Sequence, residues 1–205
     1  MPDYQIKCWD SKAFESIDSR FASEAFDNKK WQFASDYIRL YALYKEGGIY
    51  LDADVLALGN IDTLLDCKFF SGLEMRDKEH SDIYLEAAVM GAEKGNHFIG
   101  KCLEIYNSRT FIKDDGTFDM TPIPTIISPV MEALGWERDD RTQNCDGHII
   151  HSTDIIANTN CERKSSVLLY HLNNRSWIPL TNKEKLIKVL KQCGVDKVLR
   201  ILRKK

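Results

Sequence analysis

Apolar residues recur at helical spacing from position 33 to position 44, and this spacing predicts one amphipathic helix over residues 34–46. The stripe consists of Phe33, Tyr37, Leu40, Tyr41 and Tyr44. Gly47 and Gly48 follow, and glycine ends helices because it adopts the left-handed backbone conformation at little cost. The next run, residues 49–58, begins with apolar residues and predicts a strand. We expect the rest of the chain to be organised around this helix, turn and strand.

Helical and strand-like patterns alternate along the remaining sequence, as they do in an α/β domain. Strands are predicted at residues 4–9, 69–74, 84–91 and 167–170, and helices at 12–30, 97–106 and 126–134. Residues 60–65 predict a turn and a short helix. Pro122 and Pro124 exclude a regular helix over residues 121–124, because proline lacks an N–H and restricts the residue before it. The pattern therefore favours a single α/β domain.

Composition narrows the functional classes. The 205 residues carry a net charge of −3, which gives no general indication of nucleic-acid binding. Since the sequence has no apolar run of about 18 residues, we expect no membrane-spanning helix. The N-terminus lacks a basic and apolar leader, so we expect a cytoplasmic protein. Six cysteines occur without a C-x-x-C pair, which favours reduced thiols over a zinc ribbon.

Two carboxylates stand two residues apart in the predicted strand 49–58. Alternate strand residues share a face, so Tyr50, Asp52 and Asp54 are expected to point the same way. Carboxylate oxygens are good ligands for a hard divalent cation such as Mg²⁺ or Mn²⁺. Taken alone, such a pair is more often two solvated acids at a strand end than a metal site.

The neighbouring residues resemble a known family. SDYIR (35–39), followed by a helix and GGIYLDAD (47–54), resembles the sugar-nucleotide site of the DXD glycosyltransferases. The pattern is most similar to the bacterial capsular and lipopolysaccharide sugar transferases of glycosyltransferase family 32. These are related to initiating mannosyltransferases and to clostridial glucosylating toxins. The likeness is strong over residues 30–65, fair to about residue 106, and thin afterwards.

The resemblance implies a GT-A-type nucleotide-sugar fold with a mostly parallel central sheet. It implies transfer of a hexose, with retention of the anomeric configuration, from a nucleotide-sugar donor to a glycan or lipid-linked glycan of a capsule or lipopolysaccharide. Asp52 and Asp54 would hold Mn²⁺ or Mg²⁺ and the donor diphosphate, and Asp36 and Arg39 would contact the donor sugar. The sequence shows no clear nucleophile.

The likeness continues over residues 88–96 with one departure. The family often has an asparagine where this chain has Ala87, next to Glu86. Glu86 either replaces that contact to the donor sugar or is a surface residue at a strand edge.

A second family feature follows the predicted strand 167–170. The family often ends its catalytic core with a strand, a histidine and a Ser-Trp pair, and here these are His171, Ser176 and Trp177. The resemblance places all three at the metal and diphosphate. The alternative for His171 is a structural histidine after a strand.

The N-terminus is shorter than the family pattern leads us to expect. Family members usually begin with a strand carrying an Ile-Pro-x-x-Ile-His-x-x-Trp-like run, and nothing similar precedes Tyr4. We therefore expect an N-terminally shortened fold, and a truncated, inactive sugar-nucleotide-binding or scaffold protein is the alternative function. An aspartyl-phosphate phosphatase is disfavoured, because Leu56 stands where that class has threonine or valine.

Residues 181–205 differ from the rest of the chain. They hold nine Lys or Arg and two acids, a net charge of +7, so residues 1–180 carry −10. Apolar residues at helical spacing predict two short amphipathic helices. We therefore divide the chain into a catalytic domain, 1–180, and a basic tail, 181–205. The tail either caps the domain or contacts the anionic inner face of a membrane.

Overall fold

A computed structural model describes residues 4–14, 17–79 and 81–173 of the 205-residue chain. The described part belongs to a compact unit that ends at Asn173. The predicted site residues Ser176 and Trp177 lie outside the described residues, and so does the tail, 181–205. Within the described ranges, no helix is both long and apolar enough to cross a membrane.

Three helices open the described chain: α1 (Ser11–Phe14), α2 (Arg20–Asp27) and α3 (Trp31–Glu46). The Ser19 side chain accepts the Ala22 N–H and caps the start of α2, so the helix predicted over residues 12–30 is interrupted. α3 starts three residues earlier than predicted and ends at Gly47, whose φ is 72°. Residues 4–9 form no strand, since none of the strands in the described part of the chain pairs with them.

Strands in the described residues form two sheets. Their bounds are β1 (Gly48–Leu51), β2 (Val55–Ala57), β3 (Phe69–Met75), β4 (Ile83–Ala92), β5 (Gln143–Cys145), β6 (His148–Ile150), β7 (Ile156–Asn158) and β8 (Leu169–His171). The central sheet has the order β1-β4-β3-β6-β5, and the smaller sheet has the order β2-β8-β7.

The central sheet is not mostly parallel, which corrects the expectation drawn from the resemblance. Of its described pairings, β3–β6 is parallel, and β1–β4, β3–β4 and β5–β6 are antiparallel. The reason lies in the connections, since parallel neighbours need a crossover of a dozen or more residues. A short loop joins β3 to β4. The two-residue turn Asp146-Gly147, with φ of 51° and 82°, joins β5 to β6.

Helices cover one face of the central sheet. α4 (His97–Asn107) and α5 (Ile123–Glu132) complete this layer, and a short 3₁₀ helix lies at Asp62–Leu64. α5 begins earlier than predicted, because Pro124 in a first helical turn removes an N–H that has no helical partner anyway.

The second sheet lies on the other face, and both faces of β3 and β4 are therefore buried. Phe69 and Met90 join the core cluster under the helices, whereas their neighbours Phe70 and Val89 join the cluster of the smaller sheet. This split follows from the strand period of two. Gly72 allows close approach of the sheets, since a Cβ there would lie 2.5 Å from Ile156 Cγ2.

The strand predicted at residues 49–58 is two strands in two different sheets. β1 pairs with β4 of the central sheet, and β2 pairs with β8 of the smaller one. Between them the chain turns, and the Val55 N–H donates to the Asp52 carbonyl at 3.0 Å. Asp52 and Asp54 therefore lie at a crossing between sheets.

Candidate functional site

Three potential metal ligands converge beside this crossing. Asp52, Asp54 and His171 each offer one ligand atom, and these atoms all lie within 4.8 Å of one another. The register explains why: His171 at the end of β8 pairs with Val55, the first residue of β2. The Leu172 N–H also donates to the Asp54 carbonyl at 3.0 Å. The structure thus brings His171 to the carboxylates from more than a hundred residues away in sequence.

The donor set fits a divalent cation. His171 Nε2 lies 3.4 Å from Asp54 Oδ1, and these side chains are 13% and 23% exposed. The Asp52 side chain is 29% exposed, so the cluster is largely covered but open on one side. Two carboxylates with one imidazole suit Mn²⁺ well, and the carboxylates also suit Mg²⁺. The cluster can therefore hold either ion next to a ligand that enters from solvent.

Glu86 is a buried partner of the cluster. It lies within β4, between β1 and β3, and is 2% exposed, so the alternative of a surface residue at a strand edge is wrong. Its Oε2 lies 3.2 Å from His171 Nδ1, and its Oε1 accepts the Ala88 N–H at 2.8 Å.

The Glu86–His171 pair shifts the titration of both groups. Burial by itself would raise the pKa of Glu86, but the hydrogen bond and charge of His171, with nearby backbone N–H groups, lower it below its usual value. Burial by itself would lower the pKa of His171, and the hydrogen bond and charge of Glu86 outweigh it. The pKa of His171 is therefore raised to about 8, with Asp54 and Asp52 contributing.

Asp36 and Arg39 lie beside the cluster, in the interior of the protein. Both are buried, and Arg39 Nη2 lies 3.0 Å from Asp36 Oδ1. Arg39 Nη1 lies 3.4 Å from Asp52 Oδ1 and donates to the Ala87 carbonyl at 2.8 Å. Burial raises the pKa of Asp36 to about 7, and the charge of Arg39 opposes that rise. The guanidinium therefore joins a helix of the core to the first carboxylate of the cluster.

Tyr50 is a site residue to which the sequence analysis gave no role. Its hydroxyl donates to Asp52 Oδ1 at 2.6 Å, and the Arg39 guanidinium lies 4.7 Å from the centre of its ring. Burial raises the pKa of Tyr50 above its ordinary value, so the phenol stays protonated as a donor. Its position two residues before Asp52 was the available sequence signal.

A second carboxylate, partly buried, lies near the cluster without bonding to it in the structure. Glu74 on β3 forms an ion pair with Arg76, whose Nε lies 2.9 Å from Glu74 Oε1. Burial, with the negative charge of Glu86, raises the pKa of Glu74. The available sequence signal was a single acidic residue in a mostly apolar strand.

Comparisons with known proteins agree with this geometry. The sequence model of the family described as "Glycosyltransferase sugar-binding region containing DXD motif" matches residues 1–70, which include both carboxylates of the cluster. An uncharacterized protein of Arabidopsis thaliana is 40% identical over 90 residues. That match covers 42% of this chain and 13% of the relative, so the chain spans only a small part of that protein. Together, the family match and the clustered carboxylates support a glycosyltransferase-family domain in this chain.

Proposed function

We propose that this protein is a metal-dependent glycosyltransferase that moves a hexose from a nucleotide-sugar donor to a glycan or lipid-linked glycan acceptor. The observation that carries the proposal is the convergence of Asp52, Asp54 and His171 within a chain that matches the DXD family. The family resemblance further favours a surface polysaccharide acceptor, of the capsular or lipopolysaccharide kind, and retention of the anomeric configuration.

Asp52, Asp54 and His171 would hold Mn²⁺ or Mg²⁺. Such an ion neutralises the charge that develops on a nucleoside diphosphate leaving group. Tyr50 and Arg39 both approach Oδ1 of Asp52. These contacts fix the carboxylate before the donor arrives, and such positioning is itself catalytic.

The donor sugar and diphosphate contacts extend from this cluster. We propose that Arg39 acts on the donor through Asp52, because its guanidinium is buried among protein groups. Direct contact of Asp36, Arg39 and Glu86 with the sugar hydroxyls is the alternative role that the resemblance implies. That contact stays an untested prediction, as does contact of Ser176 and Trp177 with the diphosphate. We assign no nucleophile.

The site of action is proposed from the sequence. The tail has a net charge of +7, and the acceptors of the resembled transferases are lipid-linked. We propose a cytoplasmic protein that docks reversibly on the inner face of a membrane through residues 181–205. Each basic residue near an anionic surface contributes about 1 kcal/mol.

Nucleotide binding tests the proposal. Nucleoside diphosphates should raise the melting temperature when Mn²⁺ is present and have little effect without it. A ligand at a hundred times its Kd stabilises a fold by about 2.7 kcal/mol. Asp54→Asn should abolish this stabilisation while the protein stays folded. Asp114→Asn, which changes an exposed loop acid in the same way, is the matched control and should leave it unchanged.

A turnover assay then distinguishes a transferase from a sugar-nucleotide-binding protein. A transferase should release nucleoside diphosphate slowly from the matching nucleotide sugar when Mn²⁺ is present, and a panel of donors identifies the sugar. Tight, Mn²⁺-dependent binding without any release from the panel would indicate a sugar-nucleotide-binding protein instead. Equal nucleotide binding with and without Mn²⁺ would refute the proposed metal dependence.

A further inference from the structure

Glu86, His171 and Asp54 form a continuous chain of polar contacts. Glu86 Oε2 lies 3.2 Å from Nδ1 of the imidazole, and Asp54 Oδ1 lies 3.4 Å from Nε2 on its other side. We propose that Glu86 is a positioning residue, which fixes the tautomer and ring orientation of His171 so that Nε2 faces the ion. This inference rests on the proposed function, because it concerns the same metal cluster.

The chemistry of imidazole sets the requirement. A neutral imidazole has one N–H and one lone pair, and only the nitrogen with the lone pair can bind a cation. A carboxylate accepts hydrogen bonds and donates none, so Glu86 requires the hydrogen of His171 to be on Nδ1. The lone pair is then on Nε2, the nitrogen that faces Asp54 and belongs to the cluster.

The surroundings of Glu86 hold it rigidly in this role. Its Oε1 accepts the Ala88 N–H at 2.8 Å, and its Oε2 meets His171, so each oxygen has a protein partner. The residue is 2% exposed and lies in β4 at an irregularity in the pairing with β3, beyond the end of the β1 ladder. A carboxylate held in this way orients the imidazole without being free to reach a donor sugar, so orientation explains it better than direct sugar contact.

Glu86→Gln is the sharpest perturbation, because it keeps the shape and removes one acceptor. Glutamine has a single side-chain oxygen, whereas Glu86 accepts from both the Ala88 N–H and His171. If the oxygen stays on Ala88, the amide NH₂ faces Nδ1 and favours the wrong tautomer. Loss of such a partner of a metal-binding histidine typically weakens metal affinity 10–100-fold.

A matched control distinguishes the loss of His171 orientation from the loss of a nearby negative charge. Glu74→Gln makes the same change in a partly buried carboxylate of the neighbouring strand, which forms its ion pair with Arg76. We expect the Mn²⁺ affinity of Glu74→Gln, measured calorimetrically with the metal alone, to stay within about threefold of the parent protein. We expect Glu86→Gln to lose 10–100-fold.

A double variant tests whether Glu86 affects Mn²⁺ affinity through His171. In a His171→Ala background, adding Glu86→Gln should cause no further loss of Mn²⁺ affinity, because the histidine that it orients is gone. Nitrogen-15 spectra of the metal-free protein, recorded at a pH where the imidazole is neutral, should show the hydrogen on Nδ1 in the parent and a shift towards Nε2 in Glu86→Gln.

The possible outcomes distinguish a failure of the proposed function from a failure of the positioning role of Glu86. If the parent protein does not bind Mn²⁺ with or without a nucleoside diphosphate, the proposed function itself is wrong. If the parent binds Mn²⁺ and Glu86→Gln binds it equally well, only the positioning role is overturned. Equal losses in Glu86→Gln and Glu74→Gln, or a full further loss in the His171→Ala background, would also overturn it.

Discussion

Replacing Arg39 by methionine should destabilise the protein strongly, because it leaves a buried carboxylate without its partner. Arg39 Nη2 lies 3.0 Å from Asp36 Oδ1, and both side chains are less than a tenth exposed. The same guanidinium donates to the Ala87 carbonyl at 2.8 Å and lies 3.4 Å from Asp52. Methionine fills much of the space but offers none of these contacts.

The geometry sets the size of the loss. Opposite charges about 3 Å apart attract by about 5 kcal/mol at an effective dielectric constant of about 20. The desolvation of both groups offsets much of that attraction, so the pair itself adds little net stability. Removing one partner of a buried pair costs about 3–5 kcal/mol. For a chain of this size, that loss lowers the melting temperature by about 6–20 °C.

The loss should also depend on pH. Burial already raises the pKa of Asp36 to about 7, and losing Arg39, which opposes the rise, should raise it further. A raised carboxyl pKa means that the folded state binds the proton more tightly, so stability falls as pH rises from the unfolded pKa to the folded one. The deficit of Arg39→Met should therefore be larger at about pH 8 than at about pH 5.

Urea unfolding at both pH values measures these effects. The double variant Asp36→Asn/Arg39→Met should recover part of the loss, since it removes the stranded charge. Arg141→Met is the control, because Arg141 is exposed and its ion pairs with Glu137 and Asp139 contribute at most about 1 kcal/mol. A cost below about 1 kcal/mol for Arg39→Met, with no change between the two pH values, would refute the argument.

Three further predictions concern the donor, the sheet and the tail. Asp36→Asn should weaken binding of an intact nucleotide sugar more than binding of the free nucleoside diphosphate, and equal losses by calorimetry would remove Asp36 from the sugar site. Gly91→Ala should cost about 1–3 kcal/mol in urea unfolding, because its Cβ would lie 2.0 Å from the Phe70 ring; an unchanged stability would contradict this packing. The full chain should sediment with anionic vesicles at low salt and not at high salt, whereas a chain ending at Leu180 should stay in solution under both conditions; equal behaviour of the two chains would contradict membrane docking.

Local sequence determined the positions of most elements. The helix over residues 34–46, the strands at 69–74 and 84–91, and the helix over 97–106 all match described elements to within a few residues. Periodicity works for them because each has a buried face that repeats with its own backbone period. The spaced motif from Ser35 to Asp54 also identified the carboxylates, since residue type and spacing are properties of the chain itself.

Pairing and burial were decided by the tertiary structure. A strand pattern does not specify which strand lies next to it or in which direction that strand runs. The mostly parallel sheet, which was expected from the resemblance, was wrong. Alternation along a continuous strand would place Asp52 and Asp54 on one face, whereas in the structure a turn between two sheets brings them together.

The sequence also did not indicate which charged residues are buried. The resemblance marked Glu86 and Arg39 as candidate sugar contacts without indicating that they are buried, yet β4 is covered on both faces, and α3 packs against the same sheet. Burial depends on what packs on each face, and those elements come from distant parts of the chain. The sequence by itself therefore determined which groups this protein can use for binding and catalysis. The resemblance placed His171 with the carboxylates. The folded chain alone set the distances between them and buried Glu86 and Arg39 against them, because those distances depend on the pairing of β2 with β8 and on the stacking of the two sheets.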